Sequence, residues 1–556
     1  MTDTAARDRE ASSARDGIEE DPRLGDRRSP SRWPSATVRG FLRRPHGRAL
    51  TIGLPLVALM LGSLGLRLEG QSTWLWTDEA ISVGIAGHRI ADIPVVLRRD
   101  GSPPLYYLIL HAWMGLVGRS EVQTHVLSLL FAVLMVPAAL WAGWTLFGPR
   151  AGWFAAALCA TAPYVSDFSH ETRMYTLVAL LALVVVVSFA HAFVRRRRAY
   201  LPVFVAAQVL LLYTHNWGIY VAGGALVALV PCYLVDRGRA KRFVRDAALA
   251  FGCVALLYVP WVPTLLDQIR HTGAPWSLRP YARETVSALG LVLGDPTERV
   301  LVALVLGGGA AGLAMLRRWR SVEGATFVAL VVIAAVTLGA AWIGAQFKPA
   351  WSTRYFAALF GPVLLVAAVT LARARAQGVV AFALILVFWI QPIGRLTGLR
   401  EPIRRDEKSA VKPFAEAVSP ELRPGDLVVA VQMEEVPVLH YYLPQYVRFA
   451  DVTGPVSDPT VVDWRDALAR VRASNVQDDL EPLVDAFPPG RRLLLVCGGD
   501  AFSPRTLPWF ALMDERCEQW QTALENDARL RSVAVSRPVE DAPETPQAVT
   551  LFEKLP

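Results

Sequence analysis

Four constellations in this sequence combine acids, cations and aromatics at spacings suited to group transfer. The first holds Asp78 and Glu79 between tryptophans, in Trp74-Leu75-Trp76-Thr77-Asp78-Glu79-Ala80, followed by Arg99-Asp100-Gly101-Ser102-Pro103-Pro104-Leu105-Tyr106-Tyr107. A positioned carboxylate can take a proton from a weakly nucleophilic hydroxyl. An Asp-Glu pair is equally what a helix start selects, with Thr77 or Asp78 opening a helix toward Gly87 and Glu79 in its first turn. The second is Asp167-Phe168-Ser169-His170-Glu171-Thr172-Arg173-Met174-Tyr175. On a helix, Asp167, Glu171 and Tyr175 would share a face. The third is Tyr213-Thr214-His215-Asn216-Trp217, where a lone histidine is more often a hydrogen-bonding residue than a metal ligand. The fourth holds Lys348, Trp351, Arg354 and Tyr355. Its arginine reads either as a cation awaiting phosphate or as a side chain snorkelling in an aromatic belt.

Something must hold these groups, and composition says what. Of 556 residues, 53% are hydrophobic and only 19% charged, with 17 Trp and 22 Phe; mean hydropathy is +0.33. That excludes a disordered chain, a fibrous chain and an ordinary cytosolic enzyme, and it indicates a polytopic membrane protein. Five Cys are too few for a disulfide scaffold, and no CxxC pair suggests zinc.

Residues 1–48 are polar and charge-dense, and read as a disordered cytoplasmic tail. Five Arg and no acid between Arg32 and Arg48 place the N-terminus inside. Residues 49–395 alternate apolar runs with short links. Eleven candidate spans are 50–68, 122–147, 151–168, 174–194, 199–214, 217–235, 247–265, 299–316, 324–345, 355–371 and 378–394. A twelfth run, 104–118, is decided by charge. If it does not span, then Arg150, Arg195 to Arg198, the Arg237 to Arg245 cluster, Arg317 to Arg320, and Arg373 with Arg375 all lie inside. If it spans, all five basic links lie outside, against the positive-inside rule. It therefore reads as an amphipathic or re-entrant helix within a first external loop, 69–121. All four constellations then fall on the external side, although none was used to choose the topology.

Residues 396–556 have soluble composition. Strand-like runs at Leu427 to Val431, Val447 to Ala450, Leu493 to Cys497, Ser532 to Ser536 and Ala548 to Phe552 alternate with helical stretches such as Trp464 to Ala473 and Pro508 to Leu530. That pattern predicts an extracytoplasmic α/β domain. Cys497 and Cys517 both fall in it; their spacing alone leaves a disulfide undecided. The net charge of +8 is spread over cytoplasmic arginines, so it is no patch for nucleic acid.

Taken together, Trp76-Thr77-Asp78-Glu79-Ala80, Asp100-Gly101-Ser102-Pro103-Pro104-Leu105-Tyr106-Tyr107, Glu171-Thr172-Arg173-Met174-Tyr175 and Tyr213-Thr214-His215 resemble the GT-C membrane glycosyltransferases. The likeness is closest to the branch of protein mannosyltransferases and aminoarabinose transferases, and the Ala-, Arg- and Val-rich background resembles actinobacterial members. It covers residues 50–395. The resemblance implies a polyprenyl-phosphate-linked sugar as donor, mannose by family association. The acceptor would be the hydroxyl of an exported glycan, lipid or protein at the bilayer's outer face. It makes Asp78 the general base in an inverting displacement, with Glu79 beside it. Arg354 and Arg173 would meet the leaving phosphate. Glu79, Asp100, Glu171 and His215 would orient hydroxyls or bind a divalent metal, the one cofactor the resemblance leaves open; Tyr106, Tyr107, Tyr175 and Tyr355 join the substrate site. The sequence departs from the family pattern at Thr172, and at Gly101-Ser102, where aminoarabinose transferases have Lys before the prolines. A transporter or flippase is the contrasting class; it calls for internal repeats and midplane charges, and the ionisable groups here cluster at the outer ends instead. A ligand-sensing protein with a degenerate membrane part would have no reason to keep all four constellations.

Overall fold

The computed structural model describes residues 46–235, 238, 240–294, 297–390, 408–498, 507–533 and 548–556. The tail 1–45, the Arg32 to Arg44 stretch, Arg237, the end of the last candidate span and residues 534–536 of the fourth candidate strand lie outside the described residues.

Seven helices among the described residues are long and apolar enough to cross a membrane, and four shorter apolar helices accompany them. In chain order the helical part begins with α1 (His46–Arg67), α2 (Thr77–Ala86), α3 (Ile93–Asp100), α4 (Leu105–Val117) and α5 (Glu121–Phe147). It continues with α6 (Pro149–Thr161), α7 (Pro163–Ser169), α8 (Tyr175–Phe189), α9 (Leu201–Thr214), α10 (Gly218–Val235), α11 (Ala240–Tyr258) and α12 (Val262–His271). It closes with α13 (Ala282–Leu293), α14 (Thr297–Arg317), α15 (Val322–Phe347), α16 (Ala357–Arg373) and α17 (Arg375–Trp389).

The expected single span 151–168 is corrected to two helices, α6 and α7. Pro163 has no N–H to donate and drives Ala162 out of the helical region, to ψ 121°. The expected span 247–265 lies within one helical stretch, Ala240–His271, in which a 3-10 turn at Val259–Trp261 joins α11 to α12. The run 104–118 becomes α4, 13 residues long, or about 20 Å against the ~30 Å of a bilayer core. The chain enters and leaves α4 on one side, since Arg99 O accepts from Trp464 N and Arg119 O accepts from Tyr441 Oη, both in the C-terminal domain.

Two helices form the centre of the bundle. In α8 with its C-terminal extension, and in α16 with its preceding turn, 83% of the most apolar stretch is buried. Arg173 and Tyr175 stand at the start of one, Arg354 and Tyr355 at the start of the other. The bundle's opposite end collects the basic links. Arg150 donates to Arg375 O (2.7 Å), and Arg373 pairs with Glu323 (2.6 Å) and donates to Phe147 O (3.0 Å). Arg195 donates to Leu146 O, and Arg196 lies 4.0 Å from the Phe243 ring.

The C-terminal domain contains α18 (Val411–Val418), β1 (Leu427–Ala430), α19 (Val436–Tyr442), β2 (Arg448–Asp451), β3 (Gly454–Pro455) and α20 (Ala467–Ala473). After them come α21 (Glu481–Asp485), β4 (Arg492–Cys497), α22 (Pro508–Asn526), β5 (Leu530–Val533) and β6 (Ala548–Lys554). The sheet order is β3-β2-β1-β4-β6-β5. Strand β1 runs parallel to β2 and β4, and the other pairings are antiparallel. Cys497 and Cys517 are disulfide-bonded, tying β4 to α22. Ala80 of α2 belongs to the core of this domain, among Val436, Leu439, Phe414 and Val428. Residues 53–556 thus form one compact unit.

Candidate active site

The two carboxylates of the first loop face opposite ways. Helix α2 begins at Thr77, and the Glu79 carboxylate reaches back to the Trp76 N–H (3.2 Å), closing the helix start. That leaves Asp78 on the outer face of the first turn. Its Oδ2 accepts from Arg354 Nη1, and Arg173 Nη2 stands 3.8 Å away. Arg173 also donates to Asp78 O (3.1 Å) and Ser82 Oγ (3.0 Å), so it follows the backbone of α2 as well as the carboxylate. The side chains of Asp78, Arg354 and Arg173 retain 18%, 15% and 11% exposure. Arg354 lies 5.1 Å from the Trp76 ring, and its turn is fixed by Tyr164 Oη donating to Arg354 O (2.9 Å). The Nε atoms of Arg173 and Arg354 are buried without a hydrogen-bond partner.

Glu79 has no solvent exposure at all. Its Oε1 accepts from His125 Nε2 (2.8 Å) and Thr172 N (2.6 Å), and Lys408 Nζ lies 3.4 Å from both oxygens. Burial alone would raise its pKa, but Lys408, His125 and the Thr172 N–H outweigh it and hold the carboxyl at about 2. The expectation that Glu79 stands in the reaction site beside Asp78, or binds metal, is corrected: protein groups enclose it on every side.

The remaining residues divide by exposure. Tyr106 and Tyr107 are fully buried, edge-on at 5.8 Å, and Tyr107 Oη donates to Asp100 Oδ2 at 3.5 Å. Tyr107 supports Asp100 from behind, and neither ring presents surface to a ligand. Burial raises the Asp100 pKa. Gly101 sets the direction of the next segment from the left-handed region, φ 100°, and its carbonyl accepts from Asn216 Nδ2 (3.1 Å), joining the first loop to the end of α9. Tyr175 is buried against the Arg173 guanidinium at 5.7 Å. The His215 ring packs 4.9 Å from Tyr355 and 6.1 Å from Tyr175, and its Nδ1 accepts from Trp217 N (3.1 Å). Burial, with Arg173 and Arg354 adding to it, brings His215 down to about 3, so the ring is neutral. Glu171 is raised to about 7 by burial, and its Oε2 has no hydrogen-bond partner.

The sequence leaves a divalent metal open. Among the described residues no three His, Cys, Asp or Glu side chains are placed to share an ion. Asp78 already faces two guanidiniums, and His215 faces aromatic rings.

Two site residues escaped the sequence reading. His125 carried a signal, an ionisable residue at the outer end of an apolar span. Lys408 carried none, because nothing near it on the chain indicates that the C-terminal domain returns to Glu79.

No protein-family model matches the sequence, and no curated protein matches it at a significant level. Solved structures do match. ArnT from Cupriavidus metallidurans in the apo state superposes with TM-score 0.55 at 16% identity, covering 91% of this chain and 98% of that one. The same protein bound to undecaprenyl phosphate gives 0.58 at the same identity and coverage. Arabinofuranosyltransferase AftD from Mycobacteria gives 0.52 at 16% identity over 92% of this chain, which spans 40% of that protein's length. The chain therefore has the fold of the GT-C glycosyltransferases, here a bundle of apolar helices with a C-terminal sheet domain packed on α2.

Proposed function

We propose that the protein transfers a sugar from a polyprenyl-phosphate donor to an exported acceptor hydroxyl at the outer face of the cytoplasmic membrane, with inversion. The observation that carries this is the meeting of Asp78, Arg354 and Arg173, an acid and two cations from three distant segments, all partly exposed. A donor phosphate between the two guanidiniums draws their N–H groups toward itself and releases Asp78. The acceptor oxygen then attacks the anomeric carbon from the opposite side. Its bond to carbon forms as the carbon–oxygen bond to phosphate breaks. Asp78 takes the acceptor proton, and the polyprenyl phosphate leaves with its charge held by Arg354 and Arg173. We assign Asp100 and Glu171 to orienting hydroxyls, with His215 and Tyr355 beside Arg354 as further substrate contacts. Glu79 acts on Asp78 through α2 and is a positioning residue. Mannose is assigned on the family resemblance alone.

The division of the chain into 1–48, 49–395 and 396–556, with the last part outside the cell, belongs to the same reading. It is supported by the separation of the basic links from Asp78 and by the Cys497–Cys517 disulfide, which suits an oxidising compartment. The similar ArnT structure that holds undecaprenyl phosphate supports the donor class. The test is purified Asp78→Asn, assayed for transfer from a polyprenyl-phosphate sugar. Transfer should fall ~10²–10⁴-fold with the thermal melt retained; a wild-type rate in the folded variant would remove Asp78 as the base.

A further inference from the structure

A cavity lies on the side of α2 away from Asp78. Its volume is about 520 Å³, within the range of small-ligand sites. Along α2 it is walled by Ala80, Val83, Gly84 and Gly87, whereas Asp78 and Ser82 point the opposite way toward Arg173. The facing wall is the C-terminal domain, with His440, Tyr441 and Gln445 from α19 and the turn after it, and Asp458 and Thr460 from the loop after β3. The cavity exists only because these parts meet. His88 Nε2 pairs with Asp458 Oδ2 (2.9 Å), and Thr460 closes its own turn on Asp458 Oδ1.

The lining alternates an apolar floor with planar polar groups. Ala80, Val83, Pro437 and the Tyr441 ring give carbon surface, while Arg119, Asp458, Gln445 and the two imidazoles give fixed donors and acceptors. Arg119 and Asp458 are of opposite charge, so the lining carries no strong net field to select an anion. Burial lowers the His440 pKa, so that ring is a neutral hydrogen-bonding group. Carbon faces beside planar hydrogen-bonding edges match an uncharged saccharide, whose ring presents C–H on its faces and hydroxyls at its rim.

We propose that this cavity is a glycan-binding subsite, one helix diameter, ~10–12 Å, from Asp78. It holds a more distant part of the acceptor glycan whose terminal hydroxyl enters the reaction site. This rests on the transferase reading and narrows its acceptor to an oligosaccharide or polysaccharide. The site is separate from the donor phosphate, and ligand retention there does not require turnover.

The test uses the full chain in detergent carrying Asp78→Asn, so that no transfer consumes ligand, on a printed array of neutral oligosaccharides of three or more residues. Binding to a subset is expected. Adding Gln445→Trp, which fills the cavity from an exposed position, should weaken that binding at least tenfold. Arg119→Ala, also exposed, should weaken it severalfold, and thermal melts check that both fold. No bound glycan, or unchanged binding in both folded variants, would overturn the subsite. Sugar transfer from a polyprenyl-phosphate donor to a glycan hydroxyl by the wild-type chain is measured separately. Its absence would count against the transferase reading and leave the binding result standing.

Discussion

Asp78 and Glu79 are neighbours on the chain with opposite environments, one partly open to solvent between two guanidiniums and the other sealed inside. Glu79 closes the helix start, and Asp78 faces the two guanidiniums from which the catalytic proposal is argued. Glu79→Gln removes one member of a buried ionic cluster and strands Lys408 and His125. It should cost ~3–5 kcal/mol in thermal or denaturant unfolding and lower transfer through displaced Asp78. The pH direction follows from a folded pKa of about 2 against the ordinary carboxyl value of 4.5. The stability that Glu79 provides is complete above pH 4.5 and declines as pH falls toward 2. Glu171 has the reverse sign, with a folded value of about 7. The folded chain holds that proton between pH 4.5 and 7 when the unfolded chain does not, so stability falls as pH rises through this window. Glu171→Gln should therefore raise the melting temperature at pH 8 and leave it unchanged near pH 4.5; the reverse ordering would contradict a protonated Glu171. Residue types in this site were legible from sequence. Which carboxylate was open was not, because that depends on His125 and Lys408, 46 and 329 positions from Glu79.

Helix α2 is the element that carries the site, and close approach of backbone fixes its seat. A Cβ at Gly84 would come within 2.0 Å of Thr460 O, so Gly84→Ala must separate α2 from the C-terminal domain. A loss of ~1–3 kcal/mol is expected, measured by thermal unfolding, with transfer reduced as Asp78 shifts. Gly101 adopts φ 100° at the end of α3, which an alanine reaches only with strain of ~1–3 kcal/mol. Apolar run lengths located most helices to within a few residues. They misjudged 151–168, where average hydropathy hides the effect of one proline. The alternating pattern of the C-terminal domain anticipated its strands, but not the two-residue β3, which has too few residues to show a period.

At the scale of the molecule, charge asymmetry along the chain separates two ends. In a Cys253→Ser background, which removes the exposed free thiol, Ser102→Cys should react with an impermeant maleimide applied outside intact cells, and Arg196→Cys only after permeabilisation. Labelling of Arg196→Cys from outside would invert the proposed topology. Replacing Cys497 and Cys517 by Ser should destabilise the C-terminal domain by ~2–4 kcal/mol, and through Ala80 loosen α2. By itself the sequence determined the membrane class, the approximate positions of the helices, the shared side of the four constellations and the α/β pattern of the last part. Each of these depends on local hydrophobicity or on summed charge, quantities that add along the chain. Only the tertiary structure decided that Arg354 meets Asp78 across 276 positions, that Glu79 is sealed by Lys408, and that α2 shares a core with the C-terminal domain. Those contacts form by packing between segments with no common local signal, so no periodicity or spacing along the chain encodes them.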